Sequence, residues 1–340
     1  MHDVALKVNG LDWYGWEEVR INRSIVQIAN EFSLKLTDKW SENSAPRPIN
    51  DGDSCKVTID DHTVITGYID EVDHSYDDST NGIQVAGRDA TGDLVDCSAP
   101  SFQWAGRNQL EGASVLCEPY GIPVSSTVDT SKPFATMKSD EGESTFEVLD
   151  TVAKIRAVLL MSDGLGGLKI TRAGTRRLKG SLETGVNIKA GSRKRSSRER
   201  FSHYTVKGQT SSAWIDTVSV SATVADKAVT RHRPKIILAE DALDAAGCKA
   251  RATWHRNISA AKAQTFNYTM LSWYLDDELI EPNCLIAVKD HYLNVNRDLL
   301  IVGITYIVDD KGLRAELILG LPEAFELQAL PEPNDEGGVW

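Results

Sequence analysis

Two Asp-His pairs, Asp61-His62 and Asp290-His291, set a carboxylate beside an imidazole, the two groups that general acid–base catalysis most often uses. Neighbouring residues on a strand or tight turn point apart, so neither pair converges on one proton, and both read as turns. Gly164-Leu165-Gly166-Gly167 has the glycine content of a phosphate-cradling loop. It has no lysine-serine pair after it and falls between two apolar runs rather than before a helix, which makes it a hairpin turn. Asp140, Glu141 and Glu143 imitate the paired carboxylates of a glycosidase, but an acidic loop ahead of a helix N-terminus accounts for them. The seven histidines are scattered with no HExxH spacing. No GxSxG element occurs. The five cysteines, Cys55, Cys97, Cys117, Cys248 and Cys284, are odd in number and form no CxxC pair, the usage of a protein with reduced thiols. These patterns predict no catalytic residue, no cofactor and no metal site, and so no enzyme.

What remains is charge. The net charge is −12, yet residues 169–200 hold eleven Lys or Arg against two Glu, a local +9 that leaves −21 for the rest of the chain. Such polarity suits a subunit that meets partners on oppositely charged faces. Arg193, Lys194, Arg195, Arg198 and Arg200 are the candidate partner contacts. Their surroundings are polar and lack an apolar period, which predicts a mobile loop over 189–202. A solvated loop with no partner is the competing reading. No secretory signal follows Met1 and no run of about 18 apolar residues occurs, so a membrane span is not expected.

The elements that must carry these residues are mostly strands. Val4, Leu6 and Val8, then Phe32, Leu34 and Leu36, then Cys55, Val57 and Ile59 alternate with polar neighbours, the period of half-buried strands. Asn9-Gly10, Asn50-Asp51-Gly52-Asp53 and Asn81-Gly82 supply the turns. From about residue 99 the texture changes. A short helix is predicted over 108–119, a second after Ser144, whose spacing to Glu147 is that of a capping box, and then a hairpin over 158–171. Residues 235–263 read as a helical insertion and 326–340 as a disordered acidic tail. Of the eight tryptophans, Trp104 sits in an exposed-looking segment, where an interface or a core is an equal expectation.

A faint internal repeat links the two β-rich regions. Val57-Thr58-Ile59-Asp60-Asp61-His62 matches Ile286-Ala287-Val288-Lys289-Asp290-His291, and after seven extra residues Ile65, Gly67 and Val72-Asp73 match Ile301, Gly303 and Val308-Asp309. Matched apolar positions are cheap, but matched turns in the same order are less so. The fold class expected is therefore α+β, mainly β: two related β-barrel domains separated by a small α/β domain, with a helical segment in the second β-rich half. The boundaries read as 1–98, 99–180 and 181–325. Three copies of such a subunit would present six similar modules about one axis.

Three segments carry a resemblance to a known family. They are Ile83-Gln84-Val85-Ala86-Gly87-Arg88-Asp89-Ala90 with Leu94-Val95-Asp96-Cys97; Leu116 to Ile122 followed by Gly142 to Leu149 and the 158–171 hairpin; and Trp273 with Leu279-Ile280-Glu281-Pro282-Asn283, Val288-Lys289-Asp290, Leu299 to Gly303 and Leu317 to Phe325. In order and spacing the chain resembles the baseplate hub proteins of contractile-tailed phages, including the tail protein of Mu-like phages and the late-control D group. The resemblance implies a structural virion protein of the tail baseplate, assembled in the host cytoplasm. It implies a homotrimeric ring between the tail tube and a separate central spike protein, other baseplate proteins as neighbours, and a channel passing DNA without sequence specificity. A peptidoglycan-binding or peptidoglycan-cleaving tail protein, and the hub of a related contractile injection machine, are the alternatives.

Overall fold

A computed structural model describes residues 3–37, 49–76, 78, 81–134, 138–174, 176–212, 215–242 and 244–329. The first β-rich half runs β1 (Val4–Val8), β2 (Leu11–Trp13), β3 (Glu18–Ser24), β4 (Glu31–Thr37), β5 (Ser54–Ile59), β6 (His62–Tyr76) and β7 (Asn81–Asp89). Alternation does what the sequence implies: along β3, Val19, Ile21 and Arg23 are buried while Glu18 and Arg20 face out. Asp60 and Asp61 both have positive φ, the paired left-handed turn that fits the twist of the β5–β6 hairpin.

The middle of the chain forms α1 (Gly92–Asp96), α2 (Gln109–Cys117), β8 (Val124–Ser126), α3 (Thr145–Arg156), β9 (Leu159–Ser162) and β10 (Leu168–Thr171). Asn108 and Ser144 each close a reciprocal capping box, with Glu111 and Glu147 respectively, so two orphan amides are satisfied at each helix start. Strands β8, β10 and β9 make a separate three-stranded sheet. Its core joins Leu116, Val152, Leu168 and Ile170 to Trp104. Of the two expectations for Trp104 the core holds: Gln103, Ala105, Gly106 and Arg107 around it are exposed, but the indole is fully buried, edge-on to Phe102 and Phe134. Its flanking residues are small or polar, but Gly112 on α2 leaves the room the ring fills.

The remainder comprises β11 (Arg176–Glu183), β12 (Ala190–Arg195), β13 (His203–Ser212), β14 (Ile215–Ala225), β15 (Pro234–Ala242), α4 (Ala245–Lys262), β16 (Gln264–Met270), β17 (Tyr274–Leu275), β18 (Glu278–Leu279), β19 (Cys284–Asp290), β20 (Val295–Val308) and β21 (Arg314–Gly320). Three sequence expectations change here. Residues 190–195 are a strand hydrogen-bonded to β16, not part of a mobile loop. Residues 234–242 are a strand parallel to β13, so helix starts only at Ala245, capped by Asp244. Residues 176–180, expected in the middle unit, belong to β11, which pairs with β19. Strands β14, β13 and β15 form their own sheet, against which α4 packs around Tyr204, Val206, Cys248 and Ala252. Most of the expected acidic tail, 330–340, lies outside the described residues.

The two β-rich halves share one 13-stranded sheet. Within it the path β3-β4-β7-β6-β5 and the path β12-β16-β21-β20-β19 repeat the same strand order, antiparallel at every step. Both central strands bulge by one residue, at Asp70 in β6 and Val302 in β20. The halves join where β3 pairs antiparallel with β20. One hydrophobic core runs through both, from Leu6 and Val57 to Ile286 and Leu317. The fold is mainly β. Closure into two separate barrels is not among the pairings of the described residues, because the halves are hydrogen-bonded to each other.

The repeat also aligns differently from the sequence match. Aligning the bulges sets Ile69 against Ile301, and the ladders then set Val57 against Val288 and Val85 against Leu317. Asp61-His62 is therefore not equivalent to Asp290-His291. Shifts of two residues in β5 and four in β6, both even, preserve the inward-outward alternation, which is why the sequence could not resolve them.

Candidate assembly surface

The five predicted contact residues separate into three environments. Arg193 and Lys194 are neighbours on β12, so they point to opposite faces. Arg193 is half-buried: its guanidinium lies 5.2 Å from the Phe266 ring centroid and donates to the Leu293 carbonyl at 3.1 Å and to the Gln264 side chain. Lys194 and Arg195 are exposed at the sheet edge. Arg198 is exposed in the following turn, where its carbonyl and that of Ser197 accept from Arg233. Arg200 is not a free cation. It grips Asp226 with two hydrogen bonds, at 2.7 and 3.2 Å, and ties the turn to the small sheet. Burial works against charge on Asp226, but Arg200 and the Ala228 amide hold its carboxyl below the ordinary range. Of the five, Lys194, Arg195 and Arg198 are fully exposed, while Arg193 and Arg200 are engaged within the chain.

A second surface escaped the sequence reading. The outward residues of the shared sheet form cross-strand rows, and one row runs Thr269, Glu316, Thr305, Asn22, Glu31, Arg88, Tyr68 across seven strands. Asn22 donates to Glu31 at 3.2 Å, and Arg88 binds Asp70 and Asp96 at 2.8 and 2.7 Å. A groove of about 390 Å³ lies here between Arg20, Glu31, Asp70 and Arg88. The signal was present in sequence as the polar positions of each alternating strand. What sequence lacked was the register that lines them up.

Charge is also buried where the units meet. Arg23 on β3 is almost wholly buried and pairs with Glu281 at 3.1 Å, with Gly164 of the middle hairpin close by. Asp89, at the end of β7, accepts from the Asn30 amide at 3.2 Å. Burial pushes its carboxyl up to about 6, against the opposing pull of Ser162 and Arg23. Asp290 accepts from Tyr268 at 3.1 Å and from the amides of Tyr292 and Leu293, so it builds the hairpin tip that exposes Tyr292. Asp163 likewise accepts from the Leu165 and Gly167 amides, making the glycine segment a hairpin turn. Among the described residues no group of three His, Cys, Asp or Glu converges on a metal position. No described helix is long and apolar enough to cross a membrane.

Comparison with known proteins accounts for this geometry along almost the whole chain. Residues 3–89 match the N-terminal domain of the Mu phage baseplate assembly protein GpP-like family, and 91–172 the second domain of the baseplate hub protein gp44-like family. Residues 200–254 match the third domain of the tail protein NMB1110-like family, and 244–328 the fourth domain of the Mu phage baseplate assembly protein GpP family. The chain is 32% identical to the baseplate hub protein gp44 of Escherichia phage Mu, over 95% of this chain and 88% of that one. The crystal structure of the prophage MuSo2 43 kDa tail protein from Shewanella oneidensis superposes with TM-score 0.85 at 35% identity, covering 96% of this chain and 100% of that chain. A tail protein from Neisseria meningitidis MC58 shares the fold, with TM-score 0.82 at 22% identity over 97% and 99% of the two chains.

Proposed function

The chain belongs to the baseplate hub family of Mu-like phages, structural proteins of the virion tail, and from that premise we propose that it works as a homotrimer whose six β-modules form a ring. The observation that carries this reading is the strand order repeated in the two halves of the sheet. A trimer of a chain with two like modules can meet a six-fold structure on one face and a three-fold structure on the other. The ring joins the tail tube to a separate central spike protein, with other baseplate proteins around it. Its role is structural rather than catalytic, and assembly takes place in the host cytoplasm before the tail is complete. The modules are two related barrels, closed only in the assembled ring; the first unit runs 1–98, the middle unit from 99 to just before β11, and the second β-rich unit from β11 to 325.

The polar face of the shared sheet lines the channel in this reading. Two of its cations are already paired, Arg88 with Asp70 and with Asp96 of α1, and Lys35 with Glu18, while Arg20 has no ion pair among the described residues. A face with most of its cations paired gains little from phosphate contacts, so DNA passes without being held or read. Lys194, Arg195 and Arg198 remain contacts to acidic partners. The deciding measurement is the mass of the native assembly, by light scattering on the purified protein and by density in isolated tails. Three copies per tail are expected. A monomer at high micromolar concentration together with one copy per tail would overturn the reading.

A further inference from the structure

We propose that the edge of β12 pairs antiparallel with β6 of a second copy of this chain, in the register that sets Lys194 opposite Asp73 of the neighbouring copy. This rests on the trimer reading above and names its interface. A pairing of this kind already exists inside each chain. There β3, the first strand of the first five-strand path, lies along β20, the fourth strand of the second path, from Gly303↔Ser24 to Val308↔Val19. The corresponding strand ends in the other sense are both without a strand partner among the described residues. β12 ends the sheet path, and β6 beyond Ile69 is paired on one side only, by β7.

The register follows from the ladders. Phe32 and Phe266 occupy the same place in the two paths, each opposite a residue of the first strand, Ile21 and Arg193. The bulges equate Ile69 with Ile301, and hence Asp73 with Thr305 and His74 with Tyr306. Within the chain Thr305 faces Asn22, whose counterpart on β12 is Lys194. Repeating that join between copies sets Lys194 against Asp73, Ser192 against Ser75 and Arg193 against His74.

Two independent features fit. The β12 edge carries Arg193, Lys194 and Arg195, while the free stretch of β6 carries Asp70, Glu71 and Asp73, so the edges are oppositely charged. Neither Lys194 nor Asp73 forms an ion pair within the described chain, and opposite charges directly across an antiparallel pair are favourable. Burial points the same way. Tyr306 is fully buried beneath the intrachain join, whereas His74 and Tyr76, on the corresponding side of β6, are exposed, Tyr76 by 87%. An uncovered edge that bears a large aromatic is a liability unless another chain pairs with it.

The test uses the full chain. Lys194→Glu is expected to weaken the trimer by about ten-fold or more, because each of three interfaces changes from an opposite-charge to a like-charge pair. Asp73→Lys should do the same, and the double variant should restore assembly. In a Cys97→Ser background, Ser192→Cys with Ser75→Cys should give a disulfide-linked species of trimer mass, and either single cysteine should not. A wild-type trimer that is unmoved by charge reversal and shows no such cross-link overturns this pairing and leaves the trimer standing. A wild-type chain that stays monomeric in solution and in tails, with no cross-link, overturns both.

Discussion

Arg193 lies across the strand from Phe266 with its guanidinium over the ring, 5.2 Å from the centroid, at the place where Ile21 faces Phe32 in the other half of the sheet. A cation in a core-side position is stable there because its stem covers apolar surface while its head donates to the Leu293 carbonyl and Gln264. Arg193→Ala should therefore cost about 1–2 kcal/mol of stability through lost stacking and an unpartnered carbonyl. Lys194→Glu in the isolated subunit should change it by less than about 0.5 kcal/mol, being exposed. Chemical denaturation at a concentration where the protein is monomeric checks both. Equal midpoints for the two variants would show that β12 carries its cations as a loop would.

The contrast explains which parts of the chain were legible. Capping boxes at Ser144 and the β9–β10 hairpin were read correctly because the signals are local. β12 was not, since Gly191, Ser192 and Lys194 give a strand no apolar period. It forms because β16 offers it a ladder, and the side turned toward β16's aromatics carries half-buried Arg193 over Phe266, with Tyr268 against Gly191, rather than aliphatic residues. β15 failed for the opposite reason. Ile236 and Leu238 are 59% and 72% exposed on an edge strand, so apolar residues there do not mark an inward helical face. Of the candidate site, the run of cations was visible, whereas the polar row through Asn22, Glu31 and Arg88 needed strand order that no local pattern encodes.

Gly112 should be intolerant of any side chain. A Cβ there would come within 2.1 Å of Trp104 ring atoms, and the indole is enclosed by Phe102 and Phe134 with nowhere to move. Gly112→Ala is expected to destabilise the middle unit by about 1–3 kcal/mol, despite the gain in helix propensity. Thermal unfolding followed by tryptophan fluorescence would show it. A neutral or stabilising outcome would mean that Trp104 has space the structure denies it.

Asp89 predicts a pH dependence with a definite sign. Its carboxyl is raised to about 6 in the folded protein, chiefly by burial, so the folded state holds a proton that the unfolded chain releases near pH 4. The stability this contributes is complete below pH 4 and is lost as pH rises through 6. Asp89→Asn should remove that loss, amounting to roughly 2–3 kcal/mol between the two ends of the window. Denaturant midpoints for wild type and variant should converge at pH 4 and separate by pH 7, with the variant higher. Parallel curves across that range would count against the assignment.

Arg23 should couple to this titration, because its charge is one of the influences that keep Asp89 from rising further. With Arg23→Met, burial of Asp89 is less opposed, and the pH at which stability falls should move upward. Because Arg23 is only 3% exposed, its removal also leaves the Asp89 carboxylate less compensated, at a cost of about 3–5 kcal/mol at neutral pH. Glu281 is a different case. Its side chain is 41% exposed, so water replaces much of what Glu281→Gln removes, and the expected cost is no more than about 1 kcal/mol. The informative variant is the double change Arg23→Met with Asp89→Asn, which removes both buried charges at once and should recover most of the single Arg23→Met loss at pH 7. The recovery should vanish at pH 4, where Asp89 is already protonated in the folded single variant. A loss that persists unchanged in the double variant at both pH values would mean that Arg23 acts through its packing, including that beside Gly164 in the β9–β10 turn, and not through Asp89.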